Sequence, residues 1–189
     1  AGAVFVAYCV VRAPSINVLD AKPHGYRSNV LDRDGNVVLT LSGEASNRDY
    51  VKLSEVPESL QEAVVAIEDE RFYQHRGIDI PGIFRAVYVG LRGGLDFSEG
   101  ASTITQQLIK NNVFTEWTNE TSVERIKRKL QEQYLAIELE KNMSKDTILL
   151  NYLNTINLGH GTLGVEAASQ RYFDKSCNEL TVSECAVLA

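Results

Sequence analysis

From Pro57 onward the apolar residues recur at intervals of three and four in one segment after another, a pattern that amphipathic helices produce and strands do not. Leu60, Ala63, Val64 and Ile67 form the first stripe, with Pro57, Glu58 and Glu62 in its opening turns. Ile83, Phe84, Val87 and Leu91 form the next, entered through Asp79 as a cap with Pro81 in the first turn. Thr121-Ser-Val-Glu124 is a capping box ahead of Val123, Ile126, Leu130, Tyr134 and Ile137. Ser144 starts a helix bearing Ile148, Leu149, Tyr152, Leu153 and Ile156 that ends near Gly159. Two more helices are predicted over 164–172 and 181–188, the latter with a Thr181-x-x-Glu184 box. A chain of 189 residues patterned this way is a mainly α domain with a real core.

Before Pro57 the pattern differs. Asp34-Gly35-Asn36 between two apolar runs predicts a β-hairpin, too small to stand alone and expected to pack against its neighbours as a connector over 14–56. The opening run to Val11 is uncharged and is followed by Arg12 and Pro14. It reads either as the remnant, over 1–13, of a transmembrane anchor, since a bilayer takes about 20 residues, or as a buried strand. The helical domain then occupies 57–189, and the apolar helical pattern still running at Leu188-Ala189 leads us to expect it truncated at its C-terminus.

The formal net charge of −6 excludes general nucleic-acid binding, which needs a broad basic surface. Locally, Arg125, Lys127, Arg128 and Lys129 face only Glu124, and an anionic group could dock there. Cys9, Cys177 and Cys185 have no metal-ligand spacing. Cys9 and Cys185 fit as small core residues, and a Cys177–Cys185 bridge stays open.

Three stretches carry chemistry. In Ala66-Ile-Glu-Asp-Glu-Arg-Phe-Tyr-Gln-His-Arg-Gly77, Glu68 sits near the end of its helix, far from the favourable N-terminal dipole and beside an apolar stripe. That is a setting for a general base, and equally for a solvated acidic helix end paired with Arg71 and Arg76. In 100–111, a helix from Ser102 would put Thr103, Gln107 and Lys110 on one face, fit for sugar hydroxyls and a phosphate, and Ile104 and Leu108 on another. Arg128-Lys129-x-x-Glu132 could organise a pyrophosphate, directly or through a divalent cation, or could be two surface salt bridges.

Taken in order, Glu68-Asp-x-x-Phe72-x-x-His75-x-Gly77, Gly100-Ala-Ser-Thr-Ile-Thr-Gln-Gln107, Arg128-Lys-x-x-Glu132 and Ile148-Leu-x-x-Tyr-Leu-Asn154 resemble the peptidoglycan glycosyltransferase domain of class A penicillin-binding proteins and monofunctional transglycosylases. The resemblance implies a lysozyme-like helical fold. It implies polymerisation of lipid II on undecaprenyl pyrophosphate with inversion, by an enzyme on the extracytoplasmic face of the cell membrane, with moenomycin as inhibitor and division or elongation proteins as partners. By the same resemblance Glu68 is the base and Glu132 the second catalytic carboxylate, able to hold Mg²⁺ or Mn²⁺. Lys110, Arg128 and Lys129 neutralise the pyrophosphate. Asp69 and His75 position the first motif, Phe72 packs it, and Ser102, Thr103, Gln106 and Gln107 line the donor cleft under a mobile loop over 91–100. Two departures stand out: Ala101 where the family has glycine, and Leu150 where it has glutamate. The alternatives are a lysozyme-like lytic enzyme, which leaves Arg-Lys-x-x-Glu without a purpose, and an inactive lipid II-binding scaffold.

Overall fold

The computed structural model describes residues 2–17, 20–23, 25–26, 28–41, 48–92, 102–114 and 120–189, with backbone alone at 29, 40, 87, 90 and 91. Ala101, and the loop predicted over 91–100 apart from the end of a helix at Leu91 and Arg92, lie outside the described residues. The fold is mainly helical: α1 (Gly2–Val11), α2 (Glu58–Glu68), α3 (Ile80–Arg92), α4 (Ile104–Val113), α5 (Ser122–Glu140), α6 (Lys145–Leu153), α7 (Val165–Phe173) and α8 (Val182–Leu188). One antiparallel hairpin pairs β1 (Ser28–Leu31) with β2 (Val37–Leu41). The chain divides into two compact units, Ala1–Ala21 with Val65–Ile148, and Lys22–Val64 with Leu149–Ala189.

In the first unit α4 and α5 pack together, and Ile104, Leu108, Ile109, Leu135, Ala136 and Leu139 supply the core between 0 and 2% exposure. The opening apolar run is a helix, so the strand reading falls. Its C-terminal carbonyls, which no helix can satisfy internally, are met by Gln131 of α5, whose Nε2 donates to Cys9 O (3.1 Å) and Arg12 O (2.9 Å). Among the described residues no helix is long and apolar enough to cross a membrane. Of the stripe predicted for α3, Phe84 is 71% exposed and Ile83 half-buried, while the side chains of Val87 and Leu91 lie outside the described residues. Periodicity reports that a helix is amphipathic and does not say what covers it.

In the second unit Asp32 builds the hairpin turn by accepting from the backbone N–H groups of Asp34 and Asn36, both at 2.9 Å, with Gly35 at φ +89°. The hairpin's apolar side chains are exposed, so the expected packing of the connector is not seen among the described residues. Asn154, fully buried, accepts from Val51 N–H and donates to Val51 O and Leu150 O, tying the end of α6 to the segment before α2. Leu150 is half-buried. Cys9, Cys177 and Cys185 are buried free thiols, and the Cys177–Cys185 bridge is not formed.

Candidate active site

The site lies in the first unit, where α2 ends. Glu68 is the last residue of α2, and the chain turns at once through Asp69 to Gly77. Gln107 Nε2 donates to Glu68 Oε2 at 2.6 Å, which holds that carboxyl group in one orientation. Arg71 does not serve Glu68; it forms a two-pronged pair with Asp79 (3.1 and 2.5 Å), which holds the Asp79 carboxyl below the usual range and fixes the cap of α3. The reading as a solvated helix end partnered by arginine therefore falls for Glu68, and it holds only for the exposed Glu70, which lies 3.7 Å from Arg71.

Asp69 is buried and works inward. Its carboxylate takes His75 Nε2 (2.9 and 3.0 Å) and, at 3.0 Å, the backbone N–H of Ile104, the first residue of α4. Asp69 and His75 thus join the end of α2 to the start of α4. Gly77 permits the return: at φ +88° a Cβ there would meet Ala136 C and O at 2.6 Å, so only glycine lets this turn lie on the backbone of α5. Its carbonyl accepts from Thr103 Oγ1 at 2.7 Å.

The α4 helix begins at Ile104, not at Ser102. Thr103 is its N-cap, with extended backbone, and its hydroxyl accepts from Gln106 N–H while Gln106 Oε1 accepts from Thr103 N–H. This reciprocal cap corrects the expectation for Gln106, which is 3% exposed and turned into the protein rather than lining a cleft. Ser102, Gln107, Lys110 and Lys129 do line a cavity of about 290 Å³ with Ile67 and Glu68. Thr103 borders a neighbouring cavity of about 150 Å³ that shares Ile67, Glu68 and Ser102 with the first.

In the α5 motif Arg128 and Glu132 are buried while Lys129 is partly exposed, and the reading as surface salt bridges falls. Glu132 is wholly inaccessible, ion-paired to Arg128 one turn back and to Lys129, whose Nζ lies 2.9 Å from Glu132 Oε2 and donates at 2.9 Å to Ser102 Oγ. The Lys129 contact with Glu132 is an ion pair without hydrogen-bond alignment. Arg128, 7% exposed, does not line the cavity. Its guanidinium is also gripped by Glu120 at 2.6 and 2.8 Å, which raises its affinity for its proton and lowers that of Glu120. Glu120 escaped the sequence reading because it precedes the Thr121 cap, outside any helical spacing to Arg128. Lys110 is held below the ordinary lysine range, first by burial and then by the charge of Lys129. So one carboxylate and two ammonium groups line the same cavity.

These residues do not fit a protein-held divalent cation. Glu132 is already occupied by Arg128 and Lys129, Glu120 by Arg128, and among the described residues no group of three His, Cys, Asp or Glu side chains is placed to hold a metal.

Residues 34–189 match the transglycosylase family. The chain is 45% identical over 188 residues to penicillin-binding protein 1A of Clostridium perfringens strain 13, covering 98% of the chain and 27% of that protein. It is 46% identical over 162 residues to penicillin-binding protein 1F of Bacillus subtilis, covering 86% of the chain and 21% of that protein. Over 165 residues it is 48% identical to penicillin-binding protein 1A of Clostridium acetobutylicum, covering 86% of the chain and 20% of that protein. The chain thus spans about a quarter of the length of these relatives.

Proposed function

The chain belongs to the transglycosylase family, and from that premise we propose that it polymerises lipid II into β-1,4 glycan strands with inversion, releasing undecaprenyl pyrophosphate. The observation that carries the reading is that one cavity is lined both by Glu68, oriented by Gln107, and by the ammonium groups of Lys110 and Lys129. Glu68 takes the proton from the 4-hydroxyl of the acceptor GlcNAc as that oxygen forms its bond to the donor's anomeric carbon. The bond from that carbon to the pyrophosphate oxygen breaks on the opposite face, and the leaving group's negative charge is met by Lys110 and Lys129. A pyrophosphate needs no general acid, so one carboxylate base suffices, whereas a glycosidase must also protonate a sugar oxygen. Glu132, which presents no free face, acts by fixing Lys129, with Arg128 and Glu120 behind it. Any Mg²⁺ or Mn²⁺ would enter on the pyrophosphate, and no step here depends on it.

The uncharged α1, with Val4, Phe5, Val6, Tyr8 and Val11 exposed, supports a place at the membrane on the extracytoplasmic side, where the lipid-linked substrate would be met. The deciding experiment is lipid II polymerisation by the wild-type protein and Glu68→Gln, resolved on gels with and without moenomycin. Wild type should make long, moenomycin-sensitive glycan, and Glu68→Gln none, with an unchanged melting temperature. Normal turnover by Glu68→Gln refutes the assigned base.

A further inference from the structure

Behind α4 lies a second buried ion pair, neither member of which lines the cavity. Glu140, at the end of α5 with a side chain 5% exposed, accepts through Oε1 from Lys145 Nζ at 2.8 Å and from Thr105 Oγ1 at 2.5 Å. Lys145 Nζ stands 4.3 Å from the centre of the Phe72 ring. Thr105 and Phe72 are themselves fully buried. This one pair therefore touches both stretches that set the catalytic geometry: Phe72 follows Glu68 by four residues, and Thr105 precedes Gln107 by two.

The first turn of α4 is held from three directions. Asp69 takes the N–H of Ile104, Gly77 O takes the hydroxyl of Thr103, and Glu140 takes the hydroxyl of Thr105. The first two fix where the helix starts. The third fixes its rotation about its own axis, and rotation decides whether Gln107 reaches Glu68. An apolar pair of similar volume could fill the same space as Glu140 and Lys145 at no loss of stability, but it could not direct a hydrogen bond at Thr105.

We propose that Glu140 and Lys145 are positioning residues for glycosyl transfer: Glu140 sets the rotation of α4 through Thr105, and Lys145 neutralises Glu140 while bracing Phe72 through a cation–π contact. The inference rests on the polymerase reading above. Its test is steady-state polymerisation of lipid II by the full chain, with rates expressed per moenomycin-binding site so that unfolded protein does not count. Thr105→Val and Glu140→Leu, which remove the donor and the acceptor of this bond, are each expected to lower kcat about 10-fold or more with KM for lipid II held within about 2-fold, since misaimed groups lose turnover rather than binding. Thr105→Ser, which keeps the hydroxyl, should retain wild-type kcat, and Lys145→Met, which removes the charge and the contact with Phe72, should lower it. The double variant T105V/E140L should be no slower than the slower single one, because both break the same bond. Wild-type kcat in Thr105→Val, or a Thr105→Ser variant as slow as Thr105→Val, overturns the proposal. A wild-type protein that makes no polymer overturns the reading beneath it, and this inference with it.

Discussion

The two helices that carry the site differ in whether they bury charge: α4 buries only uncharged side chains, and α5 buries an arginine and a glutamate among apolar ones. On α4 the buried residues are Ile104, Leu108 and Ile109, as its apolar spacing announces, together with the uncharged Thr105 and Gln106. On α5 the buried face includes Arg128, Gln131 and Glu132 along with Leu135, Ala136 and Leu139, while Val123 and Ile126 are 65% and 54% exposed. The apolar stripe read along the first half of α5 is therefore the outer one. The difference teaches that hydrophobic periodicity locates a core only where nothing more costly competes for the interior. On α5 a fully buried carboxylate is tolerated because two cations satisfy it, and the helix turns to let them.

The sharpest way to break this comparison is to strip the carboxylate. Glu132→Ala leaves Arg128 and Lys129 without their shared partner, and we expect a loss of about 3–5 kcal/mol in denaturant melts together with loss of polymerisation. A loss below about 1 kcal/mol, within the range of exposed pairs, would return the motif to the surface. On the apolar side, Leu108→Ala should cost about 2–5 kcal/mol by the same melts. A near-neutral result there would mean that α4 is not packed as described.

Two smaller effects refine the picture. Burial and the neighbouring Lys129 hold Lys110 below the ordinary lysine range, so its charge is lost as pH rises through that lowered value. Turnover should accordingly fall on the alkaline side before the usual lysine range of about 10.4, and Lys110→Arg should carry activity to higher pH, as a pH–rate profile would read. Superimposable alkaline limbs would remove Lys110 from the leaving-group side. The smallest effect belongs to the exposed stripe of α5: Ile126→Ser should change stability by no more than about 0.5 kcal/mol. A larger loss would show that this face is covered.

Much of the fold was legible because it is local. The capping boxes at Thr121 and Thr181 form as their spacing requires, and the turn at Gly35 follows from Asp32 and Asn36. Glu68 falls at the helix end where the pattern of Leu60, Val64 and Ile67 places it. Gln106 departs from the expected cleft lining: it caps α4 together with Thr103, since a hydroxyl and an amide at that spacing satisfy the orphan N–H groups of the helix first.

What the sequence determined by itself is the set of helices, their caps and the chemical types available at Glu68, Lys110, Lys129 and Glu132, because propensity, capping and spacing act within a few residues. What only the tertiary structure decided is who faces whom. Gln107 reaches Glu68 across 39 positions, Asp69 holds Ile104 across 35, and Glu120 takes Arg128 from outside its helix. Such pairings depend on the packing of α2, α4 and α5 at the glycine of residue 77, where backbone meets backbone, and no periodicity along one chain segment encodes the distance to another.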